Sequence, residues 1–158
     1  MKIVANESRV VVETTARGLL AAAGHDLRID APVFEGEVGE ERCVAKFRVA
    51  EMRVAEMRRH GAKAWGRRTS DADDIERRIR DEAFPSLKEI AVEATRETIV
   101  VRAAREQTVK TDAMITANRV EGTCTLSLAA LGVGKIRVPL GAIKLDDSVV
   151  VTYVIIIA

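Results

Sequence analysis

The stretch Val120–Leu128, VEGTCTLSL, alternates without a break: Val120, Gly122, Cys124, Leu126 and Leu128 fall on one face, and Glu121, Thr123, Thr125 and Ser127 on the other. Alternation at period two is that of a β-strand with one face on a core and one in water. The pattern recurs. Cys43, Ala45, Phe47 and Val49 oppose Val44, Lys46 and Arg48, and Ile90, Val92 and Ala94 oppose Glu89 and Glu93. Further strands are predicted at Arg9–Thr14, His25–Ala31, Phe34–Gly39, Thr98–Ala104, Thr108–Thr116, Lys135–Val138 and Ser148–Ile157. Many short strands with tight connections predict an antiparallel sandwich or barrel.

One segment breaks the alternation. SDADDIERRIRDEAFP, from Ser70 to Pro85, has Ser70 or Asp71 to cap a helix, acids in its first turn, Ile75 and Ile79 four apart, and Pro85 beyond its end. It predicts an amphipathic helix with a charged outer face. The preceding RRHGAKAWGRR, around Trp65, reads most simply as a basic, solvated loop, with a lid or a local anionic contact formed by its Trp and arginines as the alternative.

The chain has 158 residues, 47% of them hydrophobic, which is enough for one core and too few for two ordinary domains, so residues 1–158 are read as a single domain. Lys and Arg number 25 against 24 Asp and Glu, and aromatic residues make up 3%. That leaves neither a global field nor stacking platforms for nucleic acid. MKIVANESRVVVE turns charged too early for a signal peptide, and the apolar run Val154–Ala158 is too short to span a bilayer. The expectation is a soluble, cytoplasmic chain with no integral membrane segment. Cys43 and Cys124 stand apart with no CxxC, which argues against a metal site and favours reduced, buried thiols over a disulfide between them.

The sharpest chemical candidate is His25–Asp26 in AAAGHDLRID, Ala21–Asp30. Neighbours on a strand point to opposite faces, so the two cannot act as a base and its orienting acid, and no nucleophile stands nearby. His25 is expected to be a hydrogen-bonded structural residue, with Gly24 turning the chain into the strand. Its parity with Leu27 and Ile29 also allows it to face an interior and orient a ligand. Asp71, Asp73 and Asp74 lack the glycine and distal glutamate of a calcium loop, and GVGK at Gly132–Lys135 lacks the spacing of a phosphate loop. No cofactor motif and no convergent acid, base and nucleophile set is present, so the chain is read as a non-enzyme.

Taken together, AAAGHDLRIDAPVFEGEV, the helix DIERRIRDE leading into KEIAVEAT, GTCTLSLAALGV and GAIKLDDSVVVTYVI stand in the order of the signature blocks of the YceI-like family. The chain resembles these polyisoprenoid-binding proteins from about Arg9 to its last strand. It departs from them in having Leu87-Lys88 before Glu89-Ile90, and IVVRAARE at Ile99–Glu106. The resemblance implies a lipocalin-like antiparallel barrel of about eight strands around an elongated apolar cavity, with the helix alongside. It implies a binding protein that sequesters or transports an isoprenoid, quinone or fatty chain, gripped by inward residues: His25, Leu27, Ile29, Phe47, Val49, Ile90, Val92, Cys124 and Leu126. The competing expectation is a solidly packed barrel whose function lies on its surface, at strand edges or on the helix Asp73–Ala83, with a second copy of the chain as a candidate partner.

Overall fold

A computed structural model describes residues 1–17, 24–133 and 144–158. In chain order the strands are β1 (Arg9–Thr14), β2 (Ala16–Arg17), β3 (His25–Asp30), β4 (Val33–Val38), β5 (Cys43–Arg48), β6 (Arg53–Arg59) and β7 (Gly66–Arg67). After a helix, α1 (Ala72–Arg78), come β8 (Glu89–Ala94), β9 (Thr98–Arg102), β10 (Glu106–Lys110), β11 (Asp112–Ile115), β12 (Arg119–Ser127), β13 (Lys144–Leu145) and β14 (Ser148–Ile156). The protein is mainly β, and these strands pair antiparallel in two principal sheets, β11-β12-β14-β1-β3-β6-β7 and β10-β9-β8-β5-β4, with β13-β2 as a small third.

VEGTCTLSL behaves as its alternation predicts: β12 pairs with β14 along its whole length, from Arg119 opposite Ile156 to Ser127 opposite Ser148. The predicted strand Thr108–Thr116 divides at Thr111, whose N–H donates to the Glu97 carbonyl at 3.0 Å, so that β10 joins one sheet and β11 the other. This division and the two-residue strands β2, β7 and β13 raise the number of strands above the eight or so expected. Lys135–Val138 lies outside the described residues.

Local contacts link the two sheets on two sides. On one, the chain crosses between them at Thr111, and the Gln107 side chain accepts from Ser127 N–H at 3.1 Å. On the other, β3 runs into β4 through Ala31 and Pro32, while Lys2 bridges to Glu37 and Ile3 to Ile157. The interior between the sheets is filled from their inward positions by Val10, Ala45, Phe47, Ile90, Val101, Cys124, Leu126, Val149, Val151 and Ile155.

Strand β6 has no regular alternation in the sequence. The register of β3 against β6 shifts between Arg28 and Ile29, so Ala55 is an extra residue, and Val54 and Met57 both face inward although they are three apart. A bulge of this kind erases a period-two signal. Val54 and Met57 pack with Leu27, Ile29, Ala72 and Ile79 beneath the helix. The helix starts where expected, with Asp71 in the N-cap position, but Asp71 makes no capping bond with its side chain. Its last turn widens to a π-helical one over Ile79–Ala83, burying Ile79 and Ala83. The inner face also carries a carboxylate: Glu76 is buried, accepts from Val54 N–H at 2.9 Å and pairs with Arg68. Burial pushes its pKa up, but the bonds from Arg68 and Val54 outweigh that and hold it below the ordinary glutamate value.

Candidate ligand cavity

Between the two principal sheets lies a cavity of about 380 Å³, walled by apolar side chains from both. Strand β1 contributes Val10, Val12 and Thr14, and the last strand and its extension contribute Val149, Val151, Tyr153, Ile155 and Ile157, each set spaced by two as a pleated wall requires. From Val149 to Ile157 the wall runs roughly 26 Å at ~3.3 Å per residue. The helix supplies Ile79 and Ala83 to the wall, with Phe84 following.

The described residues place one solvent-facing end on the cavity. Among the described residues, every lining residue that is exposed belongs to Met1 or to three turns: Gly39–Arg42, Thr95–Arg96 and the Ile115–Ala117 turn between β11 and β12. The charged lining residues, Glu40, Glu41, Arg42 and Arg96, all stand at this rim. Met1 and Ile115 there are 68% and 49% exposed, an apolar lip continuous with the apolar wall.

Of the residues expected to grip a ligand, Ile29, Phe47, Ile90, Val92, Cys124 and Leu126 line the cavity. Leu27 is buried beneath the helix instead, and Val49 is buried in the main core beside the cavity rather than on its wall. His25 is half-buried at the far end of β3, opposite Arg59, and is not part of the wall. Nor does it make a side-chain hydrogen bond among the described residues, so it is not the bonded anchor expected of it.

That role falls to Asp26. Only 1% exposed, it lies on the outer face of the sheet and accepts hydrogen bonds from Ala16 N–H at 2.9 Å and Arg58 Nε at 3.0 Å, with His60 Nδ1 3.0 Å away. Burial pushes its pKa up, but the bonds from Ala16, His60 and Arg58 outweigh this and hold it below the ordinary aspartate value. The basic segment read as a solvated loop folds over it: Trp65 is half-buried between the guanidiniums of Arg28 at 4.2 Å and Arg58 at 4.4 Å, and Gly66–Arg67 forms the edge strand β7. Charge next to an aromatic ring was the signal in the sequence, and cation–π stacking is its outcome.

Both cysteines line the cavity as free thiols. Burial pushes Cys124 up to about 11 and raises Cys43 as well, which keeps them protonated and unreactive at neutral pH. Burial likewise raises the Tyr153 phenol, against its hydrogen bond with Thr111. Among the described residues no three His, Cys, Asp or Glu side chains gather as metal ligands, and no helix is long and apolar enough to cross a membrane.

No family model matches the chain, and no curated protein matches it. In three dimensions the picture differs. The crystal structure of Burkholderia cenocepacia BcnA superposes with a TM-score of 0.59 at 10% sequence identity, over 99% of this chain and 99% of that one. The fold is shared along the whole length. At such identity the likeness is one of fold alone, and it shows that a chain with few matching residues retains this antiparallel arrangement from end to end.

Proposed function

We propose that the protein is a non-enzymatic carrier that sequesters a single isoprenoid or acyl chain inside a lipocalin-like barrel, as its likeness to the YceI-like signature blocks implies. The observation that supports this reading is the apolar cavity whose exposed, charged residues, among those described, are confined to one end. In this reading the two principal sheets, joined at Thr111 on one side and through Ala31 and Lys2–Ile3 on the other, act as one closed wall. The ligand threads in past Arg42, Arg96 and Ile115.

The energetics are adequate. A tail of about sixteen methylenes contributes roughly 13 kcal/mol on burial at ~0.8 kcal/mol each. Immobilising it takes back several kcal/mol, which leaves a dissociation constant of about micromolar or tighter. No covalent step is needed.

Native mass spectrometry of the purified protein, followed by organic extraction, tests the proposal. A stoichiometric adduct of isoprenoid, quinone or acyl mass is expected, along with a rise in melting temperature that grows as ln(1 + [L]/Kd) when that compound is added back. A clean apo mass that stays unchanged with isoprenoids, quinones and fatty acids would overturn it in favour of a packed barrel that works through its surface.

A further inference from the structure

At the end of the cavity away from the rim, among the described residues, sits a polar group with nothing to bond. Thr14 is 4% exposed, lines the cavity, and its Oγ1 is buried with no hydrogen-bond partner. It is the innermost of the β1 wall residues: Val10 and Val12 precede it, and ~3.4 Å per residue places it about 14 Å deeper than Val10. A buried hydroxyl without a partner is costly, and native structures rarely tolerate one without a use. The described lining residues near this end, Leu126, Leu145 and Val149, are apolar.

We infer that Thr14 is a ligand-binding residue, and that the bound chain carries a neutral oxygen group, a hydroxyl or a carbonyl, at the end that enters first. The inference rests on the cavity being the ligand site and adds which ligand it selects. A threonine hydroxyl can donate to a carbonyl or exchange bonds with an alcohol, so either group satisfies it. The described lining offers an ionised head group no partner at this end. Among the described residues every charged one on the cavity wall is at the rim, so a carboxylate or phosphate beside Thr14 would be desolvated with no described cation to meet it. Head groups of that kind would have to stay at the mouth, by Arg42 and Arg96. A neutral oxygen can go to the bottom.

The test compares hexadecane with 1-hexadecanol, each delivered from cyclodextrin to the delipidated protein and to Thr14→Val, with affinity read by titration and stability by thermal melting. The wild type is expected to hold the alcohol about tenfold more tightly than the alkane. Thr14→Val should bind both equally, with an apo melting point equal to or above that of the wild type, because the substitution removes an unpaired hydroxyl and no bond. A wild type that does not discriminate, or a preference for the alcohol that survives in Thr14→Val, would overturn the assignment of Thr14 while leaving chain binding intact. An apo Thr14→Val protein that melts several degrees lower would also overturn it, by showing that the hydroxyl is already bonded within the protein. Failure of both probes to bind either form would instead remove the cavity reading, and this inference with it.

Discussion

Enlarging a wall residue separates an open cavity from a filled core, because the two respond with opposite sign. Ala45 lies in the middle of β5, opposite Gly36 on β4 and Val92 on β8, is 6% exposed, and points into the cavity. Ala45→Leu adds three carbon-sized groups on that side. In a cavity of about 380 Å³ they fill empty space: at ~0.8 kcal/mol each they contribute roughly 2.4 kcal/mol, less about 0.5–1 kcal/mol for fixing the leucine rotamer, a net gain of about 1–2 kcal/mol. In a core already at native density the same groups force neighbours off their rotamers and cost about 1–3 kcal/mol. Urea denaturation measures the difference directly, with the m-value checking that the unfolded reference has not moved. The expected result is a higher midpoint at constant slope, together with weaker uptake of a long-chain ligand that now competes with the side chain. A lower midpoint at constant slope, by more than about 1 kcal/mol, would refute the cavity as a place for a ligand.

Three other perturbations follow from particular contacts. The Asp26 carboxyl titrates lower in the folded protein than its unfolded value of 3.8, so the unfolded chain takes up the proton first; its stabilising effect is complete above about pH 4 and is lost as the pH falls through the folded value. Asp26→Asn should therefore lower stability by about 1–3 kcal/mol at pH 7 and converge with the wild type in acid, which denaturation curves at several pH values will show. Glu76→Ala leaves Val54 N–H without its buried acceptor, and a loss of about 2–4 kcal/mol is expected in urea, with earlier amide exchange at Val54. Gly122→Ala would drive a Cβ into the Asp112 carbonyl and to 2.8 Å from Tyr153 Cζ, where β12 runs between β11 and β14; about 1–3 kcal/mol should be lost on denaturation, and a variant as stable as the wild type would show the packing there to be looser than described.

Where side chains alternate regularly, the sequence was a sufficient guide. Strands β5, β8, β12 and β14 fall within a residue or two of their predicted bounds because each has one face on the interior and no interruption to its pleat. Legibility failed where the backbone departs from that pleat. The extra residue Ala55 puts Val54 and Met57 on one face and concealed β6. A second register shift, between Val33 and Glu35 in β4, turns Phe34 outward, where the Arg48 guanidinium stacks on it at 4.1 Å. The site was legible to the same degree: Phe47, Ile90, Val92, Cys124 and Leu126 come from unbroken strands and reach the cavity, whereas Leu27 sits on the part of β3 that the helix covers. Thr14 carries no signal in the sequence, because its significance is an absent bond that only the surroundings of its hydroxyl reveal.

The histidine question has a similar answer, and it bears on function. Asp26 does engage an imidazole, but that of His60, brought across from β6 by a turn whose His60 N–H donates to the Gly24 carbonyl at 3.1 Å. The sequence separation of Asp26 and His60 hid the pair; the strand register, which sets Asp26 opposite Arg58, creates it. A His–Asp pair invites comparison with a catalytic dyad, and its placement argues for another use. It lies on the outer face of the sheet under Trp65, whereas Cys43 and Cys124, the two thiols, open on the inner face and are held protonated by burial. A base on one side of a sheet cannot reach a nucleophile on the other. What the Asp26 cluster does reach is Ala16 N–H at the foot of β1, two residues beyond Thr14. The carboxylate therefore fixes the backbone that carries the innermost polar group of the cavity, and Asp26→Asn should weaken discrimination between alcohol and alkane as well as stability, an effect that a purely structural anchor elsewhere in the sheet would not produce.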